Sequence, residues 1–262
     1  GIANPVTGDQ VAMTNHHWKF SVHDLREGLG VSRFLLLNDF TALALSLTLL
    51  PESQKHQVGG GTAAPESAIG LIGPGTGLGV SGLFPVGYQN KWIPIAGEGG
   101  HVSLTATTEH EFAAIQQLQK RYGHVSAERV ISGAGLVDLY HALCDLKDGQ
   151  GREITTPAEV IERAHEVPTS TANEALDMFC GFLGSVAGDL ALTLGARGGI
   201  YIGGGIVPRL GERFDASPFR ERFEAKGRFK KYLQEVPTWV IHSPVSPALQ
   251  GASQALSLTQ WQ

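Results

Sequence analysis

The sequence predicts an α/β fold, because short apolar runs typical of buried strands alternate with longer segments that have the apolar spacing of helices. The strand-like runs are residues 34–37, 68–72, 80–84 and 198–202. The helix-like segments are residues 40–50, 107–122, 135–146, 174–194 and 247–258. Polar or glycine-rich residues follow three of the strand-like runs, and these junctions are where α/β folds place their ligands.

The composition is that of an ordinary globular protein. The 262 residues are 42% hydrophobic, which is enough for one large core or two modest ones. A net charge of −5 gives no basic field, so nucleic acid and anionic membranes are not expected partners. The cysteines, Cys144 and Cys180, are too few for a disulfide framework or a thiolate zinc site. With no apolar run of eighteen residues and no secretion signal pattern, a cytoplasmic location is expected.

The first candidate site follows the predicted strand at residues 34–37. This run ends at Asn38 and Asp39, directly before the predicted helix at residues 40–50. A carboxylate at the carboxyl end of a strand is well placed for general base catalysis. Asparagine and aspartate are also favoured helix N-caps. The pattern indicates capping and catalysis equally, and the two roles are compatible.

A glycine hairpin is predicted at residues 73–79, whose sequence is GPGTGLG. The flanking apolar runs indicate strand, tight turn and strand, which excludes a Rossmann turn. Glycine lets backbone N–H groups approach an anion closely, and Thr76 adds a hydroxyl donor. Because no Gly-Lys-Ser/Thr follows, a P-loop NTPase is disfavoured. Taken by itself, the segment favours an ordinary tight turn over a phosphate site.

A carboxylate and an imidazole suited to sugar hydroxyls come soon after the hairpin. They are Glu98 and His101, in the sequence EGGH. His101 could equally cap a turn or bind a metal with Glu98. Farther along, Glu128 lies in a short polar turn between two helical segments, and by itself it is typical of a solvated surface.

A glycine corner, residues 203–205, separates the strand predicted at residues 198–202 from a helix predicted to begin at Val207. Such a corner admits a base or a phosphate, although it also serves as a plain strand-to-helix turn. A dinucleotide-dependent oxidoreductase is disfavoured. Neither this corner nor the hairpin forms the G-x-G-x-x-G turn with an acidic residue about twenty positions on.

Helix ends are indicated by capping residues. Ser21 with Asp24 begins a short helix that residues 28–30 end, and Thr156 with Pro157 and Glu159 begins another. In the long helix at residues 174–194, glycines at 181, 184 and 188 form one stripe. Glycines at this spacing usually indicate close packing of helices.

In chain order, five segments closely resemble the bacterial glucokinases of the hexokinase type. They are residues 38–42 (NDFTA), 73–79 (GPGTGLG), 98–101 (EGGH), 124–130 (HVSAERV) and 203–209 (GGGIVPR). The resemblance extends to residues 4–9, 13–16 with Trp18, and 223–229. It implies a two-lobed, actin-like ATPase (ribonuclease H-like) sugar-kinase fold. The small lobe would hold residues 1–49 and 243–262, and the large lobe residues 50–242.

The resemblance also implies the activity and its residues. A glucokinase transfers the γ-phosphate of ATP, with Mg²⁺, to the 6-hydroxyl of glucose, and Asp39 would be the general base. The residues expected to bind glucose are Asn38, Asp39, Glu98, His101 and Glu128. Those expected to bind the nucleotide are Gly75, Thr76, Gly77, Gly79, Gly203, Gly204 and Gly205. No metal bound by the protein alone is expected, because relatives with a structural zinc use a cysteine cluster absent here. A homodimer is compatible with the family.

The sequence departs from the family pattern at its start. The family begins with a β-hairpin that carries an Asp-Val-Gly-Gly-Thr-Asn phosphate loop, which does not occur here. We therefore expect roughly sixty residues of the family pattern, with the first phosphate loop, to be missing, which bears on the activity of this chain. The alternative function is a non-catalytic sugar sensor on the same fold, in which Asp39 and Glu98 only bind.

Overall fold

The computed structural model describes residues 1–2, 8–13, 17–87, 91–147, 149 and 152–257. Its strands are β1 (Gln10–Ala12), β2 (Lys19–Ser21), β3 (Lys55–Gln57), β4 (Ile69–Pro74), β5 (Leu78–Val86), β6 (Lys91–Ala96), β7 (Ile200–Ile202) and β8 (Thr238–Ile241). Its α-helices are α1 (Val22–Gly28), α2 (Asp39–Ser46), α3 (Glu109–Tyr122), α4 (Gly133–Lys147), α5 (Pro157–Glu166), α6 (Thr171–Leu194), α7 (Glu212–Asp215), α8 (Phe219–Glu224), α9 (Lys230–Gln234) and α10 (Ala248–Ser257). The predicted α/β class is confirmed.

A six-stranded mixed sheet forms the centre of the molecule, in the order β3-β8-β7-β4-β5-β6. Strands β8, β7 and β4 run parallel, whereas β3, β5 and β6 pair antiparallel with their neighbours. Successive side chains of β7 point into different cores. Ile200 and Ile202 join the larger core with α4 and α6, and Tyr201 joins a smaller core with α2 and α10. The sheet is therefore covered by helices on both faces, which explains its continuous apolar runs.

The central helix of the larger core is α6, as the sequence predicts. Ser170 caps its start, and Gly195 ends it in the left-handed conformation, with φ of 60°. A Cβ on Gly184 would overlap the carbonyl of Phe219 in α8, and one on Gly188 would lie 2.6 Å from the Phe223 carbonyl. The predicted close helix packing is confirmed at these two positions. By length and composition α6 could cross a membrane, but most of it is buried inside the protein.

The two predicted helix starts are confirmed. The Ser21 hydroxyl accepts a hydrogen bond from the Asp24 N–H at 3.1 Å, and α1 ends at Gly28. Thr156 and Glu159 form a capping box at the start of α5, with Pro157 in the first turn. Sequence patterns of this kind depend only on residues within one turn, which is why they can be read without the fold.

Three local predictions need correction. In the described part of the chain, residues 34–37 form no ladder, and an isolated parallel bridge joins Ile2 to Asn38. The predicted helix at 40–50 is α2 followed by a single 3₁₀ turn, Leu47–Leu49. The helix predicted at Val207 is only the 3₁₀ turn Val207–Arg209, because Gly211 has a φ of 52° that no helix continues through. Residues 4–7, 14–16 and 258, which belong to predicted motifs or elements, lie outside the described residues.

Candidate functional site

The start of α2 places Asn38 and Asp39 beside each other in a hydrogen-bonded turn. The Asn38 Oδ1 accepts from the backbone N–H of Phe40 at 2.9 Å and of Thr41 at 3.2 Å, so Asn38 is the N-cap. The Asp39 Oδ1 also accepts from the Phe40 N–H, at 2.9 Å. Capping by Asn38 is therefore confirmed, and the cap holds Asp39 in a half-buried position at the first residue of the helix.

The glycine hairpin is confirmed as an antiparallel turn between β4 and β5. At its tip, the Gly75 N–H donates to the Gly77 carbonyl at 2.8 Å. The Gly75 carbonyl accepts from the N–H of Gly133, the first residue of α4, at 2.9 Å. Thr76 is exposed at the tip. The turn is thus held against the start of a helix, with its backbone accessible.

Glu98, His101 and Glu128 come together into one group, which we call the glutamate–histidine cluster. The His101 Nε2 lies 4.0 Å from the Glu98 Oε2, and its Nδ1 lies 3.9 Å from the Glu128 Oε1. The one-turn 3₁₀ helix Gly99–His101 brings Glu98 and His101 to the same side. The cluster presents two carboxylates and an imidazole, which together can accept hydrogen bonds from several hydroxyls and donate one.

Glu128 is not the solvated surface residue that its local sequence indicates. Its Oε2 accepts from the backbone N–H of Leu78 at 2.9 Å, and its own N–H donates to the Gly100 carbonyl at 2.8 Å. A Cβ on Gly77 would overlap the same Oε2. The carboxylate is therefore fixed against the base of the glycine hairpin, and Gly77 leaves the room that it needs.

The sequence also allows His101 to cap a turn or to bind a metal with Glu98. Its N–H donates to the Glu98 carbonyl at 3.0 Å, so His101 does close a turn, through its backbone. The distances of 3.9 and 4.0 Å to the carboxylates exceed direct hydrogen bonds. Among the described residues, no group of three or more His, Cys, Asp or Glu side chains is arranged to hold a metal ion.

The glycine corner lies beside the end of β4. The Gly203 N–H donates to the Ile72 carbonyl at 2.8 Å, and Gly204 has a φ of 78°, which favours glycine. A Cβ on Gly204 would also overlap the Pro74 carbonyl. The corner and the hairpin are therefore packed against each other through bare backbone.

The glycine corner and Asp39 line the same cavity, which has a volume of about 700 Å³. Its wall includes all three corner glycines together with Asp39 and Phe40. Further along, the wall holds Arg209, His242 and Ser246. None of these three polar residues is predicted from the sequence to belong to the site. A signal was present for His242, which directly follows β8 and so lies at the carboxyl end of a parallel strand.

The cysteines take no part in this site. Both are buried in the larger core. Burial raises the pKa of the Cys180 thiol to about 12, and burial likewise raises the pKa of Cys144 above its ordinary value. Neither thiol therefore has the lowered pKa that is typical of a reactive cysteine.

Comparisons with known proteins agree on one family. The family model described as Glucokinase matches residues 1–259. A glucokinase from Aromatoleum aromaticum is 54% identical over 256 residues, which cover 98% of this chain and 76% of that protein.

Solved structures agree with the family match. The crystal structure of a glucokinase from an Antarctic psychrotroph matches with a TM-score of 0.86 and 34% identity, over 98% of this chain and 79% of the other. A ROK family glucokinase from Streptomyces griseus, in complex with glucose and AMPPNP, shares the fold at 17% identity, with a TM-score of 0.61 and coverage of 93% and 73%. The sugar-kinase fold of the actin-like ATPase type is thereby established, and the chain belongs to the glucokinase family.

Proposed function

We propose that this protein is an ATP-dependent glucokinase, which transfers the γ-phosphate of ATP to the 6-hydroxyl of D-glucose and releases ADP. The observation that carries the proposal is the shared cavity, in which the Asp39 carboxylate and the glycine corner line one wall. Phosphoryl transfer to a hydroxyl needs that hydroxyl in line with the γ-phosphate, and a base close enough to accept its proton. The family match supports the choice of glucose and ATP as substrates.

Asp39 is the proposed general base. It would accept the proton of the attacking sugar hydroxyl, and its hydrogen bond from the Phe40 N–H keeps the carboxylate in one orientation. Asn38 and the glutamate–histidine cluster would hold the sugar. Fixed carboxylates accept hydroxyl protons strongly, and Glu128 is fixed by its bond from Leu78.

The nucleotide is proposed to contact the hairpin and the corner through backbone. Gly75 and Gly205 support this role, because neither has positive φ and a Cβ on either would meet no atom within 4 Å. Internal packing therefore gives no reason for glycine at these two positions, whereas close approach of a phosphate or a base would. Thr76, Gly77 and Gly79 are proposed to complete the phosphate side, and Gly203 and Gly204 the adenosine side.

Mg²⁺ enters this scheme as part of the Mg-ATP substrate, where it neutralises charge on the phosphates. We also propose a cytoplasmic location, which suits the two free thiols.

The proposed lobes are residues 1–49 with 243–262 and residues 50–242. The packing of α10 on α2 supports the joining of the two ends of the chain.

The test is glucose-dependent release of ADP from Mg-ATP by this chain, with mannose, fructose and N-acetylglucosamine measured in parallel. Turnover with glucose that far exceeds turnover with the other sugars is the expected result. Glucose binding by calorimetry without any turnover, in this chain and in a form extended by the family's N-terminal phosphate loop, would instead support the sugar sensor. Turnover only in the extended form would assign a necessary part of the site to that loop.

A further inference from the structure

The ring of Phe40 lies on a pair of glycines at the end of the β4–β5 hairpin. Gly73 and Gly79 are directly opposed across the two strands. A Cβ on Gly73 would lie 2.7 Å from the ring's Cζ, and a Cβ on Gly79 would overlap the ring. Neither glycine has positive φ, so their backbone conformations do not demand glycine. The pair is explained by the aromatic ring that covers it.

The backbone of the same residue orients the candidate base. The Phe40 N–H is shared between the Oδ1 atoms of Asn38 and Asp39, at 2.9 Å each. Only Cα and Cβ lie between the amide N of Phe40 and its ring. A displacement of the ring that rotation about χ1 and χ2 does not absorb is therefore passed to the turn that carries the Asp39 carboxylate.

The glycine corner also packs against Gly73, one of the two glycines that the Phe40 ring covers. The position of a Cβ on Gly73 is 2.8 Å from the carbonyl carbon of Gly203 and 3.0 Å from the N of Gly204. Phe40 also lines the cavity together with Asp39 and these two glycines. The ring thus contacts the hairpin at the point where hairpin, corner and α2 converge.

We propose that Phe40 is a positioning residue, which sets the distance between the Asp39 carboxylate and the phosphate-binding backbone of the hairpin. This inference rests on the proposed kinase function. In-line transfer is sensitive to displacements of about 1 Å, which can cost about a hundredfold in rate. Gly79 then serves to leave room for the Phe40 ring, in addition to or in place of a direct contact with phosphate.

The experiment is a double-mutant cycle with Phe40→Ala, Gly79→Ala and the double variant. Each single change breaks the ring-on-glycine contact, by removing the ring or by displacing it. We expect each to lower kcat by about tenfold to a hundredfold, with a much smaller change in the KM for glucose. The double variant should lose no more than the worse single variant, because the two changes remove one shared interaction.

Leu45→Ala is the matched control. Leu45 is buried in the same helix and does not line the cavity, so its truncation should lower the melting temperature without a comparable loss of kcat. If Phe40→Ala does not fold, Phe40→Leu takes its place in the cycle. Losses that multiply in the double variant, or a folded Phe40 variant with unchanged kcat, would overturn the positioning role alone. An inactive wild-type chain, in its given and its extended form, would overturn the kinase function itself.

Discussion

At the scale of single residues, the proposed mechanism depends most on Asp39. We expect Asp39→Asn to lower kcat by about 10²–10⁴-fold, because the amide cannot accept the proton of the sugar hydroxyl. The amide oxygen can still accept the bond from the Phe40 N–H, so the turn should be kept. Steady-state kinetics with glucose and Mg-ATP, together with a melting curve, make the measurement.

A matched control is available at Asp24. This aspartate also lies in the first turn of a helix, α1, but it is exposed and is not part of the cavity wall. Asp24→Asn should leave turnover unchanged. Near-normal turnover of Asp39→Asn would remove Asp39 from the role of base, whatever the control does.

A substitution at Gly75 tests whether the glycine hairpin binds phosphate or is an ordinary turn. A Cβ at this position meets no protein atom within 4 Å, so Gly75→Ala should change stability by less than about 0.5 kcal/mol. If phosphate approaches the backbone there, kcat/KM for ATP should fall by about tenfold or more. Gly60→Ala, which also has open space, is the control. Unchanged ATP kinetics in Gly75→Ala would favour the ordinary turn.

At the scale of secondary-structure elements, two capping boxes of equal design differ in burial. Glu111 in α3 is 4% exposed, closes a box with Thr108 and forms an ion pair with Arg222 of α8. Its Oε2 also accepts from the Thr107 N–H at 2.7 Å. Glu159 in α5 closes the same kind of box with Thr156 but is exposed. Comparing Glu111 with Glu159 therefore separates the contribution of a helix cap to stability from that of a buried ion pair.

We expect Glu111→Gln to lower the free energy of unfolding by about 3–5 kcal/mol, because it leaves the Arg222 guanidinium largely buried without its carboxylate. Glu159→Gln should lower the free energy of unfolding much less, since it removes only a charge at an exposed helix cap. Chemical denaturation of the three proteins at pH 7 measures the difference. Equal losses in the two variants would show that the ion pair adds nothing to the cap.

The same carboxylate predicts a dependence on pH. Burial by itself raises the pKa of Glu111, but the hydrogen bonds from Arg222 and Thr107 outweigh burial and leave the pKa below its ordinary value. A lowered pKa stabilises the folded state above the unfolded value of about 4.3, and this contribution is lost as pH falls through the folded value. Unfolding free energies from pH 6 to pH 3 should therefore fall less steeply in Glu111→Gln than in the wild type.

At the scale of the whole molecule, α10 connects the C-terminal end of the chain to the helix that carries Asp39. A Cβ on Gly251 of α10 would overlap the Ala42 carbonyl of α2 and lie 3.0 Å from the N of Ser46. Gly251 is buried, and the two helices pack closely through it. The smaller core therefore depends on one glycine at this crossing.

We expect Gly251→Ala to destabilise the protein by about 1–3 kcal/mol through overpacking, even though alanine favours a helix by about 1 kcal/mol over glycine. Because α2 must shift, kcat should also fall. Gly28→Ala, at the end of α1 with open space around it, should have neither effect. A Gly251→Ala protein that is as stable as the wild type would show that α10 does not hold α2 in place.

Features that depend on residues close together in the chain can be predicted from the sequence. The helix starts at Ser21 and Thr156, the hairpin at residues 73–79 and the end of α1 involve neighbours within a few positions. Their residue types therefore suffice to predict them. Five motifs in order likewise identified the family, because together they are far more specific than any one. They are residues 38–42, 73–79, 98–101, 124–130 and 203–209.

Contacts between distant side chains become known from the three-dimensional fold. Glu128 was predicted from its neighbours to be solvated, yet it is bound to the backbone of Leu78, fifty positions away. The sequence predicts Phe40 only as an apolar residue of a helix, whereas the fold places its ring on Gly73 and Gly79. Residues 34–37 have the composition of a strand, but they pair with no strand among the described residues. Contacts between distant residues are set by the order of strands in the sheet and by the helices that cover it, and no local pattern of residues encodes them.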